Sequence, residues 1–196
     1  MSQLPRLTRG RHKLPGDQAC VMELVSVLNG EPWSDHPQSV HPTLAAVARL
    51  VNDHVSDTGR ARIATMVPRI AGTADADPLA GARLVVRCTD LALRHDPGPL
   101  RGELEFARGT ARYRLSPDNP CTWPVRWTLA LLGRIGLLDR MYGYNATLQV
   151  TRAVAVATRE ATENDLLDLL DACITDCHGN DDGRAAQAPS ITAATP

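Results

Sequence analysis

Residues 163–177 read ENDLLDLLDACITDC, and their spacing decides the fold class. Leu166, Leu170, Cys173 and Cys177 recur at intervals of three and four, the period of one face of an α-helix. Asp165, Asp168 and Asp171 line an exposed flank, where water solvates them. Thr162 stands where an N-cap belongs, and Gly179 where a helix stops.

The same grammar repeats toward the N-terminus. A helix is expected from Asn145 to Thr158, and another over 122–138 that carries Trp123, Trp127, Leu131, Ile135 and Leu138. Asp77-Pro78 opens a helix reaching about His95, with Leu79, Ala82, Val86 and Leu93 inward and Asp96-Pro97-Gly98-Pro99 closing it. Asp57 caps a helix with Ile63, Val67 and Ile70 on its core side, broken or kinked at Pro68 and ended by Gly72. Pro42 sits in the first turn of a helix whose apolar face is Leu44, Val47, Val51 and Val55, with Arg49 and Asp53 paired on the outside. The first helix is expected from Asp17, as cap, to Asn29. It is apolar nearly all round except at Glu23, Ser26 and Asn29, which places it centrally in the fold.

Residues 103–115 carry a conflicting signal. Leu104 and Phe106 alternate with Glu103 and Glu105, and Tyr113 and Leu115 alternate with Arg112 and Arg114, around Gly109. This period of two reads as a short hairpin, and a helix is the competing reading. Strands do not alternate with helices, which disfavours a doubly wound α/β sheet. The expected fold is all-α: one multi-helix bundle of about seven helices, with at most a small β-hairpin near 103–115. Residues 1–15 read as a flexible basic arm, 16–178 as the helical domain, and 179–196 as a disordered tail of small and polar residues.

Composition narrows the function. The chain has 196 residues, 43% of them hydrophobic, with 21 basic and 22 acidic side chains for a formal charge of −1. No global field draws in nucleic acid or an anionic membrane, and no apolar run has the length of a bilayer span. Lys13 is the lysine among the basic residues and the rest are arginine, the mark of GC-rich coding. Aromatic residues are 4%, too few for a base-stacking platform. The first residues are basic with no apolar stretch behind them, so no export signal is read and a cytoplasmic location is expected. The five cysteines, Cys20, Cys88, Cys121, Cys173 and Cys177, are then expected as reduced thiols. Cys173 and Cys177 followed by His178 are one residue too widely spaced for haem attachment, and core filling is their expected role.

Reactive side chains are densest between residues 17 and 41. Cys20 and Glu23 share a helix face, and Glu31, Asp35, His36 and His41 follow on a loop broken by Pro32, Pro37 and Pro42. Two readings compete. In the first, Glu23 and Ser26 satisfy loop backbone groups, His36 and His41 brace the second helix, and Cys20 packs. In the second, Cys20, His36 and His41 hold zinc with Glu23 as fourth ligand or as general base on bound water, or Cys20 is a nucleophile activated by the helix dipole with His36 or His41 close by. The spacing matches no established zinc pattern, and the bracing reading is preferred.

The residues Cys20-Val21-Met22-Glu23, Gly30-Glu31-Pro32-Trp33-Ser34-Asp35-His36-Pro37, His41-Pro42 and Val51-Asn52-Asp53 resemble a group of uncharacterised helical proteins from GC-rich bacteria. The resemblance covers about residues 17–73 and implies that this segment is a unit; it implies no activity.

No nucleotide-binding glycine motif and no nucleophile-elbow motif is present. The function expected is that of a non-catalytic helical module that binds another protein or a small molecule, with Trp33, Asp35 and His36 on the loop as binding residues and no cofactor. The alternative is a metal-assisted or thiol-dependent enzyme centred on Cys20, Glu23, His36 and His41. A weaker alternative is a DNA-binding regulator using a patch of Arg60, Arg62 and Arg69.

Overall fold

The computed structural model describes residues 4–116 and 137–179. Among them are seven α-helices: α1 (Val21–Leu28), α2 (Pro42–His54), α3 (Asp57–Ile70), α4 (Ala80–Arg94), α5 (Arg101–Leu115), α6 (Leu137–Ala157) and α7 (Glu163–His178). A two-residue strand pair, β1 (Arg6–Leu7) and β2 (Gln18–Ala19), precedes them and is parallel, with Arg6 opposite Gln18 and Leu7 opposite Ala19. The fold is an all-α bundle with a minimal β pair, and no described helix is long and apolar enough to cross a membrane.

α2 and α4 are the inner helices. α4 packs on α5, α6 and α7, while α2 packs on α6, α7 and α1, and the core lies between them. Small residues let these axes approach: Ala45, Ala46 and Ala48 on α2 and Ala80, Gly81 and Ala82 on α4 are all buried. Polar staples close the outer seams. Arg69 on α3 reaches Asp171 and Thr175 on α7, Arg87 on α4 takes Asp176 through two nitrogens, and Arg108 and Arg112 on α5 converge on Asp90 of α4. Exposed pairs of this kind contribute little each and mainly fix register.

Several expectations are corrected. Residues 103–115 form α5, not a hairpin. Leu104, Ala107 and Ala111 lie buried at helical spacing while Phe106 points to solvent, so the alternation came from one exposed aromatic and from alanines that carry little hydropathic weight. The first helix starts at Val21 instead of Asp17, because Gln18 and Ala19 are taken by the strand pair and Cys20 is the N-cap. Ser56, not Asp57, caps α3, and that helix continues through Pro68 to Ile70. A proline in the last turn removes only the bond to the carbonyl of exposed Ala64, which water can satisfy.

Arg49 and Asp53 do not pair on the outside of α2. Arg49 donates to the Asp35 carbonyl (2.7 Å) and Asp53 accepts from Gly10 N–H (2.9 Å). The basic arm is not loose over its described part either. Leu7 is buried, Arg6 and Thr8 N–H donate to Asp17 and Ala19, and the Asn52 amide donates to the Thr8 carbonyl. The expected helix over 122–138 with Trp123 and Trp127, and the tail beyond 179, lie almost entirely outside the described residues.

Candidate binding site on the proline-rich loop

The loop between α1 and α2 is held from beneath by side chains of both helices. The Glu31 carboxylate accepts from Gln38 N–H (2.6 Å) and Ser39 N–H (3.1 Å), and its hydrogen bonds, that with Ser39 foremost, keep its pKa below the usual carboxylate range. Ser26, fully buried on α1, donates to the Glu23 carbonyl (2.8 Å) and accepts from Ser34 N–H (3.3 Å). The backbone of this loop therefore has donors and acceptors supplied at fixed positions, as an ordered loop requires.

The four side chains singled out for metal or thiol chemistry do not converge. Glu23 is fully buried, 0% exposed, and gathers His12 N–H (2.6 Å), His12 Nδ1 (2.9 Å) and Cys20 N–H (2.7 Å) on its two oxygens. Cys20 caps α1 by accepting from Glu23 N–H (3.4 Å), and burial pushes its thiol up to about 12. That is the opposite of the activation a nucleophilic cysteine needs. His36 is exposed and pairs through Nδ1 with Asp35 (2.9 Å). His41 sits at the start of α2, its backbone N–H on Thr73 Oγ1 (3.1 Å) and its Nδ1 buried without a hydrogen-bond partner among the described residues. Burial, with Arg83 nearby, lowers its pKa. Among the described residues no group of three or more His, Cys, Asp or Glu is arranged to hold a metal ion.

Of the loop residues expected to bind, Trp33 turns inward. It packs against the core and its Nε1 donates to the His12 carbonyl (3.0 Å). Asp35 is largely covered, between His36 and Arg11 (3.4 Å). Burial alone would raise its pKa, but the hydrogen bond with His36 and the nearby Arg11 guanidinium hold it below the usual range. His36 faces a groove.

That groove, about 460 Å³, lies between the loop, the start of α2 and α6, and is lined by His36, Gln38, Val40, Pro42, Arg49 and Thr147. Arg49 is half-buried here. Among the described residues its guanidinium makes one hydrogen bond, to the Asp35 carbonyl, and no ion pair. Burial lowers its pKa against the opposing pull of Asp35, Cys20 and Asp53. A guanidinium has five N–H donors, so most of them remain open. The α2 N-terminus borders the same space through Pro42, and His41, its N-cap, supplies no side-chain cap. Positive partial charge is left there.

Sequence reasoning missed two participants. His12 lay in the segment read as an arm, and Arg49 was assigned to a surface pair. The signal for His12 was Glu23 itself, since a carboxylate on an otherwise apolar helix has to collect donors from somewhere. The basic patch proposed for DNA is engaged within the protein: Arg60 pairs with Asp57, Arg69 with Asp171, and Arg62 donates to Asn164. No protein-family model, no curated protein and no solved structure matches this chain.

Proposed function

We propose that the protein is a ligand-binding helical module whose groove beneath the proline-rich loop takes a small molecule carrying a carboxylate or phosphate. The observation that carries this reading is Arg49, a half-buried guanidinium at the wall of a 460 Å³ groove with no ion-pair partner among the described residues. A cation withdrawn from water is costly unless an anion compensates it. An anionic group seated on Arg49 would meet a bidentate donor, the uncapped end of α2 and the His36 ring, while Val40 and Pro42 contact an apolar body.

The test is a thermal-shift panel of small monocarboxylates, dicarboxylates and phosphate monoesters at millimolar concentration. A member that binds raises Tm by mass action, with about 2.7 kcal/mol of stabilisation at a hundred times Kd. The shift disappears in Arg49→Gln and survives in part in Arg49→Lys, which keeps the charge and loses the fork. A panel in which no anion raises Tm, or a shift retained in full by Arg49→Gln, rejects the reading.

A further inference from the structure

We propose that Thr8, His12 and Glu23 form a second site, an acyl-transfer centre in which the Thr8 hydroxyl is the nucleophile and His12 its base. Thr8 Oγ1 lies 3.0 Å from His12 Nε2, and His12 Nδ1 lies 2.9 Å from Glu23 Oε2.

With His12 neutral, as a base must be, hydrogen-bond bookkeeping gives this chain one direction. A carboxylate only accepts, so Nδ1 carries the hydrogen it shares with Glu23. A neutral imidazole has one N–H, so Nε2 is then the acceptor, and the hydroxyl of Thr8 donates to it. The order is hydroxyl, imidazole, carboxylate, which is the order a base-activated nucleophile requires.

The surroundings hold this geometry. Thr8 is gripped on both sides of its backbone, N–H to the Ala19 carbonyl (2.8 Å) and carbonyl to the Asn52 amide (2.9 Å). His12 is gripped likewise, N–H to Glu23 Oε1 (2.6 Å) and carbonyl to Trp33 Nε1 (3.0 Å). Glu23 is sealed, whereas the His12 side chain is 23% exposed and Thr8 is half-buried, so the two reacting groups are reached from solvent and the carboxylate is not. Glu23 is a positioning residue; Thr8 and His12 meet the reacting atoms.

The substrate class is an ester with a small acyl group, because the β-methyl of threonine crowds the attacking oxygen. Thr8 Oγ bonds to the ester carbonyl carbon as its proton passes to His12 Nε2. The N–H of Arg9, next in the chain, has no acceptor among the described residues and is the donor assigned here to the resulting oxyanion. Collapse breaks the carbon–alkoxy bond, and the leaving oxygen takes the proton from Nε2 and departs as alcohol. Water then adds to the acyl-threonine, giving its proton to Nε2. The carboxylic acid leaves and Thr8 recovers its hydrogen, so the sum is ester plus water to acid plus alcohol.

The experiment treats the full, untagged chain with 4-nitrophenyl acetate, follows 4-nitrophenolate release, and locates acetyl groups by peptide mass mapping. The result expected is one acetyl on Thr8, absent in Thr8→Val, retained in Thr8→Ser, and formed at least about 100-fold more slowly in His12→Gln. Far-UV circular dichroism and a cooperative melt establish that each variant is folded. If Thr8→Val does not fold, the wild-type map and the Thr8→Ser and His12→Gln rates still decide. No acetyl on Thr8 of the wild type, or labelling of Thr8 that proceeds equally fast without the imidazole, overturns the proposal.

Discussion

Glu23 holds His12 twice, by the backbone N–H at 2.6 Å and by ring Nδ1 at 2.9 Å, and so ties the segment around His12 to the N-terminal turn of α1. A third donor, Cys20 N–H, completes the set and makes Glu23 the second half of a capping box. A fully buried carboxylate is tolerated here because two backbone N–H groups and the His12 ring together satisfy both of its oxygens.

Glu23→Gln tests this directly. The amide nitrogen must face one of three N–H donors, so two hydrogens meet where one acceptor was. The expected cost is roughly 3 kcal/mol, or a fall of about 6–12 °C in Tm by calorimetry. A loss within 1 °C of wild type would mean that residues 6–12 are held by the strand pair alone.

The described thiols should be silent in the native state. Cys20, Cys88, Cys173 and Cys177 are buried, burial pushes Cys20 and Cys177 to about 12, and the hydrogen bond with Cys88, together with burial, holds Cys173 well above the ordinary thiol value. At pH 8 an aromatic disulfide reagent should therefore modify no more than Cys121, with the other four released only in denaturant. Fast native labelling of Cys20 would revive the thiol-enzyme reading.

How much of this was legible follows from which physical terms are local. The face of α7, its Thr162 cap and the Pro42 start of α2 were readable because periodicity and capping act within one or two turns. The start of α1 was not, since a cysteine cap is outside the usual set and the β pair joins residues twelve apart in sequence. Arg49 looked like half of an i,i+4 pair with Asp53. Only the folded loop reveals that the Asp35 carbonyl and Gly10 N–H compete for those two side chains and win. The candidate site was legible as a loop, and its central cation was not.

Gly59 and Gly109 are both helical glycines, and they should respond oppositely to alanine. A Cβ on Gly59 would lie 2.8 Å from Val55 Cβ and 2.8 Å from Glu163 Oε1. The Glu163 oxygens accept from Ser56 N–H and its hydroxyl, so that side chain cannot swing away without losing both. Gly59→Ala is expected to destabilise by about 1–2 kcal/mol despite the better helix propensity. Gly109→Ala adds a methyl in open space and should stabilise by up to about 1 kcal/mol. Urea midpoints of the two variants check the sign of each.

His41 should leave a signature in the pH dependence of stability. Burial, helped by Arg83, holds its folded pKa below the ordinary value of about 6.5. The unfolded chain therefore binds a proton more readily than the native one, and stability contributed by neutral His41 is complete above the unfolded value. It is lost as pH falls from there through the folded pKa. The geometry agrees: Nδ1 is buried with no partner among the described residues, so a proton placed on it would find no acceptor there, and the charge of Arg83 opposes it. The wild-type urea midpoint should drop between pH 7.5 and 5.5, and His41→Gln, which cannot titrate, should drop less. Parallel curves for the two proteins would mean that His41 opens to water before it charges.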